Sequence, residues 1–66
     1  MSISYNRLWK LLIDKGMSKQ ELRKTAGVST NVIAKLGKSE PVSMDTLGKL
    51  CAALDCDIAD IVEMLR

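Results

Sequence analysis

The sequence predicts an all-α fold, a compact bundle of five short helices forming one domain over residues 1–66. Three observations carry this. Apolar residues return at the three- and four-residue spacing of a helix face, and no sustained alternation of period two marks a strand. Each apolar stretch is opened by a residue suited to an N-cap or closed by a glycine or polar break. The apolar share of 47% includes one Trp, one Tyr and no Phe, so the core must be built mainly from Leu, Ile, Val, Met and Ala. Side chains of that kind interlock well between helices.

The first helix is expected over residues 4–15, with Leu8, Leu11, Leu12 and Lys15 on one face and Gly16 as its left-handed stop. Ser18 and Glu21 have the spacing of a capping box, which starts a second helix over residues 19–25. Gly27 allows a sharp left-handed turn above Val28, and Ser29 caps a third helix over residues 30–36 that turns Ile33 and Leu36 inward. The stretch Gly37-Lys38-Ser39-Glu40-Pro41 reads as a loop. Ser43 caps a fourth helix over residues 44–54, with Leu47, Leu50, Cys51 and Leu54 as its apolar stripe. Asp57 caps a fifth over residues 58–65, burying Ile58, Ile61 and Val62. The second and third helices have roughly two turns each, too short to persist alone. Their glycine junction forces a sharp angle, which makes the pair a helix-turn-helix unit.

Composition excludes several classes. The apolar content is too high for intrinsic disorder, and no apolar run approaches the roughly 18 residues that span a bilayer. The first ten residues do not resemble a signal peptide, so a soluble cytoplasmic protein with no membrane partner is expected. Cys51 and Cys56 lie among apolar neighbours and are expected to be reduced thiols; without any His or further Cys, no metal site and no cofactor is expected. An enzyme is disfavoured, because carboxylates are scattered and so small a chain has little volume for a pocket that excludes water. The net charge is +2, but residues 1–40 carry eight Lys/Arg against three acids and residues 41–66 carry two against five. That split suits one face turned toward a polyanion.

From Met17-Ser18-Lys19-Gln20-Glu21-Leu22 through Ala26-Gly27-Val28-Ser29 to Val32-Ile33-Ala34-Lys35-Leu36, the chain resembles the Cro/CI-type (lambda-repressor-like, XRE) helix-turn-helix DNA-binding family. The likeness extends over residues 5–63 through Leu47, Leu50, Cys51, Leu54, Cys56, Ile58 and Ile61. It implies a transcriptional regulator whose third helix lies in the major groove of double-stranded DNA. Thr30, Asn31 and Lys35, with Ala34, are then the outward positions. Asn31 suits the N6/N7 edge of adenine and Lys35 suits guanine O6/N7. Ser18, Lys19 and Gln20 at the start of the second helix, Ser29 at the start of the third, and Lys38 and Ser39 in the loop are the expected phosphate contacts. A homodimer on DNA is expected, because one such domain touches few base pairs.

Three positions depart from the family pattern. Arg23 stands where a small residue is usual, and must run outward or meet Glu21 or Glu40. Gly37 stands where an acid is common, and Leu12 where its basic partner from the first helix is common. Losing both charges exchanges an ion pair for apolar packing. Trp9 and Ile13 cover the edge of the core with Tyr5 nearby, or else form a partner surface; Met44, Met64 and Leu65 offer a second patch. These apolar positions support the alternative function, a protein-interaction module or antitoxin-like protein that keeps the fold.

Overall fold

The computed structural model describes residues 2–66 and contains four α-helices, not five. A strand β1 (Ser2–Ser4) leads into α1 (Asn6–Lys15), followed by α2 (Lys19–Ala26), α3 (Thr30–Gly37) and α4 (Met44–Leu54). The chain ends with a single 3-10 turn (Ile58–Asp60) and a strand β2 (Glu63–Leu65). The strands pair antiparallel, with Ser2 opposite Leu65, Ile3 opposite Met64 and Ser4 opposite Glu63.

The ends of the chain therefore correct the expectation of a fifth helix over residues 58–65 and of a first helix from residue 4. Ser4 closes β1, and its Oγ accepts from the Asn6 N–H at 3.2 Å, just before α1 begins. Asp57 does cap the expected segment: Ile58 N–H donates to its carboxylate at 2.8 Å and Asp60 returns a carboxylate to the Asp57 N–H at 3.0 Å. The turn nevertheless stops after one cycle. The β-branched pair Ile61-Val62 has little to gain from a helix, and β1 offers backbone partners to the three residues beyond it.

The helix boundaries follow local chemistry elsewhere. Gly16 and Gly27 take left-handed φ values of 65° and 70° at the ends of α1 and α2. At the end of α3 the break is later than expected, because Gly37 stays helical and Ser39 takes the left-handed φ of 57°. Ser39 N–H bonds to Leu36 C=O at 3.2 Å and Glu40 N–H to Lys35 C=O at 2.9 Å, closing a Schellman motif without glycine.

Tyr5, Leu8 and Leu12 meet Leu22, Val28, Leu36, Leu47, Leu50, Leu54 and Ile61 in one core. α2 packs on α4, and the 3-10 turn contacts both α1 and α4. Tyr5 is not at the edge of this core but inside it, 2% exposed, and its hydroxyl donates to the Glu40 carbonyl at 2.7 Å. That bond ties the start of α1 to the loop before α4. Arg7 ties α1 to the chain end, donating to the Ala59 carbonyl at 3.0 Å and facing Glu63 at 3.5 Å. Leu12 is buried, as the loss of the ion pair implies, whereas Gly37 is exposed and adds no packing.

Cys51 and Cys56 are free and half-buried. Cys56 N–H bonds to the Cys51 carbonyl at 3.1 Å around the left-handed Asp55, which brings the two side chains together at the end of α4. Burial, then the nearby Cys51, pushes the Cys56 thiol up from 9.0 to about 11.

Two predictions follow from this packing. Leu50→Ala should cost about 2–5 kcal/mol in chemical denaturation, whereas Gly48→Ala, in open space on α4, should stabilise by about 0.5–1 kcal/mol. Because the folded Cys56 thiol titrates at about 11 against 9.0 for a free thiol, its contribution to stability is intact below pH 9 and lost as pH rises toward 11. Denaturation curves of wild type against Cys56→Ala across that interval check the sign.

Candidate nucleic-acid interface

The helix-turn-helix unit is formed by α2 and α3, as the sequence implies. Its first cap is complete: Glu21 N–H donates to Ser18 Oγ and Ser18 N–H to the Glu21 carboxylate, both at 3.1 Å. Gly27 and Val28 N–H groups both return to the Arg23 carbonyl, at 3.0 and 3.2 Å, which sets the turn. Ser29 Oγ then accepts from Val32 N–H at 3.3 Å and opens α3. Helix starts leave their first N–H groups without intrahelical partners, so Lys19, Gln20, Thr30 and Asn31 present free donors.

On α3, Leu36 is buried, and Val32 and Ile33 are half-buried against the core. Thr30, Asn31, Ala34 and Lys35 are exposed. The sequence expectation for which residues face outward therefore matches the exposure. Ser18, Lys19, Gln20, Ser29, Lys38 and Ser39 are exposed as well. A groove of about 260 Å³ between α2 and α3 brings Lys19, Gln20 and Thr30 together with Arg23, Ile33 and Ala34. Asn31, Lys35, Lys38 and Ser39 do not line it.

Arg23 is the lining residue that sequence reasoning left unassigned. It meets neither Glu21 nor Glu40 through an ion pair; instead its Nε donates to Gln20 Oε1 at 3.1 Å. The available signal was its spacing, four residues after Lys19 on the same face of α2. Among the described residues, no cation of α2 or α3 lies within 4 Å of a carboxylate, in contrast to Arg7 with Glu63. α2 and α3 together carry Lys19, Arg23, Lys24 and Lys35 against Glu21, so the candidate interface has a positive excess.

The apolar candidates fall in three places. Trp9 is half-buried, and with Leu12, Ile13, Met17, Ser18 and Lys19 it lines a second groove of about 260 Å³. Lys19 Nζ lies 4.6 Å from the centre of the Trp9 ring, so this side chain already has a cation–π partner. Ile13 is 77% exposed. Met64 and Leu65, 52% and 44% exposed, lie on β2, and exposed Met44 opens α4.

The Cro/C1-type HTH DNA-binding domain matches the chain over residues 7–65. The chain belongs to that family. No curated protein matches it. The crystal structure of the transcriptional regulator VanUg, in form II, is similar at a TM-score of 0.93 and 55% identity, over 97% of this chain and 85% of that one. The Cro/C1-type match therefore covers α1 from Arg7, α2 to α4 and every buried core residue except Tyr5. No helix among the described residues is long and apolar enough to cross a membrane, and none of them form a group of three or more His, Cys, Asp or Glu placed to hold a metal ion.

The contact between Lys19 and Trp9 is open to direct measurement. Lys19→Ala should shift Trp9 fluorescence and cost about 0.5–1 kcal/mol in denaturation, since the interaction is exposed.

Proposed function

We propose that this chain is a sequence-specific double-stranded DNA-binding protein and a transcriptional regulator, acting in the cytoplasm as a homodimer of single helix-turn-helix domains. It has no catalytic role in this reading. The observation that carries it is the sorting of α3, in which Val32, Ile33 and Leu36 pack on the core while Thr30, Asn31, Ala34 and Lys35 stand on the outer side. An α-helix with its side chains is about 10–12 Å across and the major groove about 12 Å wide, so α3 can lie within it, and helix-turn-helix docking turns its N-terminal half toward the base edges. The 55% identity to a protein described as a transcriptional regulator supports the same reading.

The roles divide by chemistry. Asn31 pairs with adenine N6/N7, Lys35 donates to guanine O6/N7, and Thr30 bonds a base edge or touches a thymine methyl. Phosphates are held by the free N–H groups at the starts of α2 and α3, with Ser18, Lys19, Gln20 and Ser29 around them, and by Lys38 and Ser39 beyond α3. The hydroxyl proton of Ser18 remains available, since its oxygen acts as acceptor within the cap. A second reading, a protein-interaction module or antitoxin-like protein, is favoured by one observation, the exposure of Ile13 beside Trp9.

Selection from a randomised duplex pool at two salt concentrations tests the proposal. The wild type should enrich a palindromic motif, and Asn31→Ala and Lys35→Ala should each relax one position by about 1–3 kcal/mol. Lys38→Ala should weaken all sequences alike and lower the salt slope by about 0.9. Absence of a motif at both salt concentrations sinks the regulator reading and turns attention to a protein partner at Ile13.

A further inference from the structure

We propose that Arg23 is a specificity-determining residue, reading a guanine from α2 at the flank of the recognition helix. The inference rests on the DNA-binding reading above and adds a contact to it. Arg23 is half-buried, yet it has no carboxylate within 4 Å among the described residues. The nearest acid in sequence, Glu21, is committed to the cap of α2 through the Ser18 N–H. The stem of Arg23 packs into the groove between α2 and α3, while its guanidinium, bonded to the neutral Gln20 amide, is exposed and without a counter-ion, and so is open to a ligand.

The groove around it says what would complete it. Lys19, Gln20 and Arg23 form one wall, and Thr30, Ile33 and Ala34 of α3 form the other. Thr30 and Ala34 belong to the exposed strip that faces the base edges when α3 enters the major groove. Gln20 holds the guanidinium by its Nε at 3.1 Å, which fixes the plane and leaves both terminal nitrogens free as a fork. That fork matches guanine O6 and N7 in the major groove. A phosphate is the rival ligand. One feature favours the base: the α3 wall is largely apolar, suiting a base edge better than a hydrated anion.

The test uses the motif selected by the wild type, with each position replaced in turn, and compares wild type with Arg23→Ala, Arg23→Lys and Gln20→Ala. Alanine is a good helix former, and circular dichroism checks that the fold is kept. Arg23→Ala should reduce discrimination for guanine at one position about ten- to a hundred-fold and leave the other positions unchanged. Arg23→Lys should keep the salt slope but lose most of that discrimination, because it retains the charge without the fork. Gln20→Ala should lose part of it. If Arg23→Ala weakens every sequence equally and lowers the salt slope, Arg23 holds a phosphate and the proposal is overturned. It is overturned equally if motif and affinity survive Arg23→Ala. A wild type that enriches no motif takes down the regulator reading and this contact together, and that arm is read before any variant.

Discussion

Helices of eight residues do not persist in water by themselves, and both α2 and α3 are of that length. Their existence and their mutual angle depend on Leu22 and Leu36, which are fully buried in the same core as Leu8, Leu50, Leu54 and Ile61. Burial of each such leucine contributes about 1.5–3 kcal/mol relative to an exposed one. Gly27 and Val28 then fix the path between the two anchors. Once Leu36 points into the core, the 3.6-residue period of α3 leaves Thr30, Asn31, Ala34 and Lys35 outside. The candidate reading surface is thus the remainder of the packing problem.

Charge is distributed by the same economy of roles. The acidic excess in residues 41–66 is partly structural: Asp57 and Asp60 cap the 3-10 turn, Asp55 supplies the left-handed end of α4, and Glu63 meets Arg7. Those acids do local work far along the sequence from α2 and α3. Among the described residues the cations of α2 and α3 have no carboxylate within 4 Å. Lys19 leans on the Trp9 ring and Arg23 on the neutral Gln20 amide, contacts that hold the side chains without cancelling their charge.

The features legible from sequence are those set within a few residues. The Ser18–Glu21 box, the glycine turn at Gly27, the Ser29 and Ser43 caps and the stripe of α4 all depend on local spacing, and all are present. The strands were not legible, because three residues are too few to show alternation and their partners lie at opposite ends of the chain. The same pairing explains the miss over residues 58–65, where a good Asp cap is overruled beyond one turn. Within the loop read over residues 37–41, the left-handed Ser39 also escaped, since it is fixed by bonds to the carbonyls of Lys35 and Leu36. At the candidate site, exposure could be assigned by subtracting core positions. The partner of Arg23 could not, because Gln20, Glu21 and Glu40 compete and rotamer packing decides among them.

The pairing of Ser4 with Glu63 closes a chain segment of about 60 residues, whereas the helix caps and turns close over only a few. Local structure of that kind assembles fast, and contacts of long sequence separation must wait until the chain is already compact. On this ground the β1–β2 pairing is expected to form late. Interactions completed after the rate-limiting step govern how quickly a native molecule opens, with little influence on how quickly it forms. In this small domain the β1–β2 pairing is thus expected to bear on how long the fold persists, far in sequence from α2 and α3.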